Sequence, residues 1–347
     1  MSGPLLSSLA GDAQIAALFA PEADIRAMLE VEAALAEAQG ALGILSPVVA
    51  ARIASVCRDI RPDEEAIRRG LVRDGVPVPE LVRQLRAAID SDHADDVHVG
   101  ATSQDIVDTG SMLRLKAVFG LLNERLVVLL SILDRLAGRH GAQRLMAQTR
   151  MQAALPFTVA AKLRTWRDPL SRHAQRLAEV RAALPVQLGG PVGDGSSFGG
   201  HAAALRAAMA ERLGLADGLP WQSAREPVME VGQALALLSG TMGKIGQDIA
   251  LMAQNEVATL KLSGGGGSSA MAHKQNPVSA EVLVALARFN AGLLGTLHQS
   301  MVHENERSGA AWTLEWMVLP QMAETAGASL RHAAALLEGA SFPEIAQ

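Results

Sequence analysis

An all-α fold is predicted for this 347-residue chain, and three observations predict it. Hydrophobic residues make up 49% of the sequence but aromatic residues only 3%, with no Tyr, so Ala, Leu and Val must fill the interior. That composition suits close helix–helix packing better than sheets. Helical periodicity dominates from about residue 105 onward. No stretch alternates with period two over enough residues to suggest a sheet.

The first hundred residues are broken into short pieces. Residues 24–42 read as an amphipathic helix, with Ile25, Met28, Leu29, Leu35 and Leu42 on its apolar positions. Pro47, Pro62, Pro77 and Pro79 punctuate the rest of this region. Five long helical segments come next, at about 105–140, 156–184, 226–260, 278–304 and 310–338. The third is the clearest. Val228, Val231, Leu235, Leu238, Met242, Ile245, Ile249 and Met252 form a heptad-like seam, with Gly232, Gly243 and Gly246 beside it to let other helices approach. So long an apolar stripe predicts burial against other subunits, hence a homo-oligomer, with a monomeric bundle as the alternative. The expected organisation is an N-terminal helical domain over 1–104 and a central five-helix bundle over 105–347.

Composition also excludes classes. A formal net charge of −5 gives no reason to expect a nucleic-acid partner. The single cysteine, Cys57, cannot form an intrachain disulfide and reads as a buried small hydrophobe in a reducing cytoplasm. The N-terminus, MSGPLLSSLAGDAQ, lacks the basic region of a signal peptide. The longest strongly apolar run, 126–133, is too short to cross a bilayer, so no membrane role is expected. No His/Cys/Asp/Glu spacing suggests a metal, and no cofactor is expected.

Three polar clusters each lie just before a long helical segment. The first runs from His98 through Thr102 and Ser103 to Asp105, where Thr102 and Asp105 have the spacing of a capping box. The second contains Thr149, Arg150 and Gln152, with Pro156 suited to a first helical position. The third is Gly264–Pro277, in which Asn276 suits an N-cap and Pro277 the position after it. Helix N-termini attract anions, so three such ends with Arg150, Lys274 and His98 could hold a polycarboxylate. Taken one at a time, each cluster also reads as an ordinary cap. The third departs most from that reading, because four successive glycines cost ordering entropy that a simple connection need not bear. It lacks the GxxxxGK[ST] spacing of a nucleotide loop, and no strand precedes it.

With these residues laid out, the chain resembles the fumarase/aspartase superfamily over nearly its whole length. Residues 267–277 read GSSAMAHKQNP, similar to that family's GSSxMPxKxNP loop, with Ala272 in place of proline. Thr102-Ser103-Gln104-Asp105 resembles the family's TSxD block, and 149–156 the block written THxQxAxP. Arg150 stands where the lyases carry a histidine. That replacement resembles the bacterial 3-carboxy-cis,cis-muconate cycloisomerase branch, as do Trp312-x-x-Glu315-Trp316 and the Pro220-Trp221 pair followed by Arg225. A small C-terminal helical domain common in the family is expected to be largely missing.

The resemblance implies lactonisation of a tricarboxylate in protocatechuate (β-ketoadipate) catabolism, by a cytoplasmic homotetramer whose sites are shared between subunits. It implies Ser268, Lys274, Asn276 and His98 as catalytic residues, with Ser268 moving the proton. Thr102, Ser103, Thr149, Arg150, Gln152 and Arg307 are the implied substrate-binding residues. An adenylosuccinate- or argininosuccinate-type lyase and an inactive helical scaffold are the competing readings. The intact Ser268, Lys274 and Asn276 argue against the scaffold.

Overall fold

The computed structural model describes residues 4–89, 91–267, 271 and 274–343. Helices α1 (Pro4–Ala10) and α2 (Ala13–Ala17) lead into α3 (Pro21–Ala41), α4 (Pro47–Asp59), α5 (Glu64–Asp74) and α6 (Val78–Ala88). Then come α7 (Ser103–His140), α8 (Val159–Ala183), the short α9 (Ala202–Leu213), α10 (Glu226–Met252), α11 (Val278–His298) and α12 (Gly309–Glu338). The chain is therefore mostly helical, with the five long helices the sequence predicts.

The prolines act as start signals. Pro21 and Pro47 open α3 and α4, where a missing N–H costs nothing. In the bundle, α10 is the central rod and packs on α8, α11 and α12. Val228, Val231, Leu235, Leu238, Met242, Ile245 and Ile249 of its seam are all buried. A Cβ at Gly246 would lie 2.6 Å from the Ala280 carbonyl oxygen and 2.7 Å from Leu283 Cβ, so glycine is what lets α11 approach this closely. A second apolar cluster joins α3, α4 and α6 to the first turn of α7 and to α9.

Three expectations need correction. Residues 144–158 form an antiparallel hairpin, β1 (Arg144–Thr149) and β2 (Gln152–Thr158), where no strand was expected. Pro156 accordingly lies in β2 opposite Met146, not at a helix start; the N-cap of α8 is Thr158, whose hydroxyl accepts from Ala161 N–H. A two-stranded ribbon tolerates Pro156 because its missing donor can face outward. Finally, α10 stops at Met252, eight residues short of the predicted end. The chain turns back there, with Thr259 and Leu260 N–H groups donating to the Met252 carbonyl and Ala258 at φ +47°.

Among the described residues, one helical stretch, Val278–Met301, is long and apolar enough to cross a membrane. It packs along α10 and α12, while its outer side leaves Phe289 half exposed.

Candidate active site

Thr102 precedes α7 in extended conformation. Its N–H donates to the Asp105 carboxylate at 3.0 Å, and the Asp105 N–H donates to the Thr102 carbonyl. Ser103 opens the helix, and Asp105 is fully buried one turn in. There Asp105 also accepts from the N–H groups of Gly189 (2.8 Å) and Gly190 (3.0 Å) and from Gln187 Nε2. Burial raises the Asp105 pKa above the ordinary carboxylate range, against the pull of these donors. Gly190 sits at φ +69°, and a Cβ there would meet Ser197 Oγ at 2.2 Å, so only glycine allows the turn to close on α7.

Arg307, just before α12, is seated on this start. Its Nε donates to Gln104 Oε1 (3.0 Å), and its Nη2 to Thr102 Oγ1 (3.2 Å) and the Pro191 carbonyl (3.1 Å). None of the described residues accepts from its Nη1. His98 lies four residues upstream of Thr102 at φ +66°, with Nδ1 2.6 Å from Glu32 Oε1. Burial disfavours the imidazolium, but the Glu32 carboxylate outweighs it and raises the His98 pKa above its usual value. The structure thus brings Thr102, Ser103, His98 and Arg307 to one end of the bundle.

The remaining candidates lie elsewhere. Thr149 pairs with Gln152 across the hairpin tip, and Arg150 and Met151 form its two-residue turn, both with positive φ (50° and 65°). That is the type I′ geometry, adopted here by residues that normally avoid it at a cost of about 1–3 kcal/mol each. All four tip residues are exposed. Beyond β3 (Lys261–Leu262), the strand β4 (Gly266–Gly267) pairs with β5 (Gln275–Asn276), which places Asn276 in a two-residue ribbon. Asn276 is therefore not the N-cap; Pro277 holds that position and α11 begins at Val278. Lys274 is exposed beside the ribbon. Ser268, Ala272 and His273 lie outside the described residues. Among the described residues, no group of three His, Cys, Asp or Glu side chains could hold a metal.

Helix lengths set the separation. Trp312 Nε1 donates to Asp108, and the His140 and Phe342 rings stand 5.7 Å apart, so α7 and α12 run side by side in the same direction. The hairpin springs from the C-terminal end of α7, and Ser263 N–H at the base of the glycine loop donates to Gly339 at the C-terminal end of α12. With 38 and 30 residues, these helices span about 57 and 45 Å at 1.5 Å per residue. Within one chain, Arg150 and the base of the glycine loop are therefore a helix length away from Thr102 and Arg307.

The sequence reading missed what lies beneath Arg307. Gln104, fully buried, donates to Asp108 Oδ2 (3.1 Å) and to the Gln222 carbonyl (2.7 Å). Arg225, also buried, reaches both Asp108 (2.7 and 3.2 Å) and Glu315 (2.9 and 2.6 Å) in paired fashion. Burial works against the Arg225 charge, but the two carboxylates outweigh it and raise its pKa. The i, i+4 spacing of Gln104 and Asp108 was the available signal, but nothing local marked Arg225 as their partner.

The sequence model of the family described as Lyase matches residues 14–289. The 3-carboxy-cis,cis-muconate cycloisomerase of Pseudomonas aeruginosa is 37% identical over 335 residues, covering 94% of this chain and 73% of that protein. The nitrosuccinate lyase of Streptomyces davaonensis is 35% identical over 350 residues, covering 96% and 74%. The crystal structure of the 3-carboxy-cis,cis-muconate lactonizing enzyme from Pseudomonas putida superposes with a TM-score of 0.90 at 33% identity, covering 99% of this chain and 78% of that one. A family match over most of the chain and a shared fold at this identity have one meaning: the protein belongs to the lyase family of the fumarase/aspartase superfamily.

Proposed function

We propose that the protein is a 3-carboxy-cis,cis-muconate cycloisomerase that closes its substrate to 4-carboxymuconolactone in protocatechuate breakdown. The observation that carries this reading is the 37% identity to such an enzyme along almost the whole chain. Arg150 in place of the lyase histidine and the Trp312–Trp316 stretch support it. The substrate carries three carboxylates, and the candidate residues offer three cations: Arg150, Lys274 and Arg307.

In the reaction one substrate carboxylate adds to a carbon–carbon double bond, and a proton goes to the carbon α to another carboxylate. The intermediate places two negative charges on one carboxylate group. Lys274 and Asn276 stabilise that charge by fixed electrostatics. Ser268 delivers the proton and is left as the alkoxide, which a cation such as that of Lys274, six residues along the chain, would favour. No cofactor is required.

The working form is a cytoplasmic homotetramer with sites shared between subunits. The helix-length separation of the candidate residues supports this, since only other copies can supply the missing part. So do Val127 and Val128 on α7, Leu237 on α10, Phe289 on α11 and Met317 on α12, all at least 40% exposed in one chain. The hairpin adds Met146, Met151 and Leu155, apolar and exposed on an otherwise thinly supported ribbon.

A lyase acting on a substituted succinate is the second reading, favoured by the 35% identity to nitrosuccinate lyase. One assay separates the two. Incubation with 3-carboxy-cis,cis-muconate should lower ultraviolet absorbance as conjugation is lost. No change, together with turnover of nitrosuccinate, adenylosuccinate or argininosuccinate, would overturn the cycloisomerase assignment. No turnover of any would leave the inactive scaffold.

A further inference from the structure

We infer that Gln104 is a positioning residue: it transmits the fixed geometry of the buried Asp108–Arg225–Glu315 triad to the guanidinium of Arg307, and so sets how tightly a substrate carboxylate is held. The inference rests on the reading of Arg307 as a carboxylate-binding residue.

The hydrogen bonds form one unbroken chain. Glu315 and Asp108 clamp Arg225 from two sides, using its Nε, Nη1 and Nη2. Trp312 Nε1 adds a further donor to Asp108 at 2.8 Å. Every member of this triad is at most 4% exposed, so its geometry is enforced by packing as well as charge. Asp108 Oδ2 then accepts from Gln104 Nε2, whose other amide proton goes to the Gln222 carbonyl. With both N–H groups engaged, the amide cannot flip, and Oε1 must face Arg307 Nε.

Arg307 needs such help. It precedes α12 on the exposed segment after Met301, so no helix holds its backbone. Its neighbour Glu306 is tied by its carbonyl to Gln222 Nε2 at 3.0 Å, which anchors the segment to the same Gln222 that Gln104 grips. Gln104, Thr102 and Pro191 together occupy Nε and both Nη2 protons. The Nη1 edge is left for an incoming anion, in one orientation. An arginine held this way loses little side-chain freedom on binding, and that preorganisation is expressed as affinity.

A double-mutant cycle tests this on the assembled protein, with citrate as a tricarboxylate probe in calorimetric titration and 3-carboxy-cis,cis-muconate in steady-state kinetics. Gln104→Met removes the amide and Arg307→Lys removes the planar fork. Each should weaken citrate by about tenfold to a hundredfold, as for loss of a hydrogen bond to a charged group. In the Arg307→Lys background, Gln104→Met should produce no further loss. In kinetics Gln104→Met should raise KM with kcat within about twofold, a split that general loosening of the fold would not give. If Gln104→Met does not fold, Gln104→Asn shortens the same amide and is read in the same cycle. Equal citrate affinity in wild type and variant, including none in either, overturns the inference. So does a Gln104 effect that persists without Arg307. Citrate binding that obeys the cycle while the muconate is not turned over would sink the cycloisomerase reading alone.

Discussion

Replacing Arg225 by methionine isolates a buried network of two carboxylates around one guanidinium. The substitution keeps roughly the volume of the side chain's stem but leaves Asp108 and Glu315, 4% and 3% exposed, facing a site with no cation. Breaking a buried pair in this way costs about 3–5 kcal/mol, because what remains is uncompensated buried charge. The pH dependence identifies the cause. Burial alone would raise Glu315, but its bonds to Arg225 hold its pKa below the usual carboxylate value. Its contribution in the wild type is therefore present above the unfolded pKa and is lost as pH falls through the folded one. In Arg225→Met the penalty is largest while Glu315 is ionised and shrinks as it protonates. The stability gap should be widest at neutral pH and narrow toward about pH 4. Urea denaturation of both proteins at one fixed concentration, across that range, measures it. A triple variant with Asp108→Asn and Glu315→Gln added should recover most of the loss. Equal stability at neutral pH, or a gap that ignores pH, would refute the argument.

Mixing two inactive variants, Arg150→Ala and Arg307→Ala, should restore part of the activity after dissociation and reassembly, because the two residues lie a helix length apart within one chain; a mixture as dead as its components contradicts shared sites. His98→Gln should cost about 1.5–3 kcal/mol just below the unfolded histidine pKa of about 6.5, where the imidazolium–Glu32 pair is formed, and progressively less as pH rises through the raised pKa of His98. A calorimetric scan series across pH shows whether the loss runs in that direction. Cys57, 1% exposed and with its thiol pushed up to about 12 mainly by burial, should resist a thiol reagent in the native protein and react at once in denaturant. Rapid native labelling would contradict that burial.

Much of the architecture was legible because helix signals are local. The α10 seam is written in eight residues at fixed spacing, and Pro47 marks a break that proves to be the start of α4. The hairpin was not legible for an equally physical reason. Its turn is built from Arg150 and Met151 in left-handed backbone, where glycine or asparagine would have announced it. Apart from Leu145, buried at the base, its strands are largely exposed, so no alternation marks a buried side. The site divides similarly. Thr102 and Asp105 betray themselves by a capping spacing, and the 267–277 segment by its motif. Arg225 lies 117 residues from Asp108 and 90 from Glu315 in sequence, and only the packing of α7, α12 and the start of α10 makes them neighbours.

The rod α7 also acts as a ruler. One end carries Thr102 and the other carries the stalk of the Arg150 hairpin, so in the proposed tetramer its length is a dimension that every copy imposes on its neighbours. Inserting a single residue mid-helix would lengthen it by about 1.5 Å and rotate one end against the other by about 100°. In a symmetric assembly that error repeats in every subunit at once, and no site escapes it. Insertions in the connection between α4 and α5 displace only surface chain. Length variation should therefore be tolerated in the connection between α4 and α5 and forbidden within the longest helix.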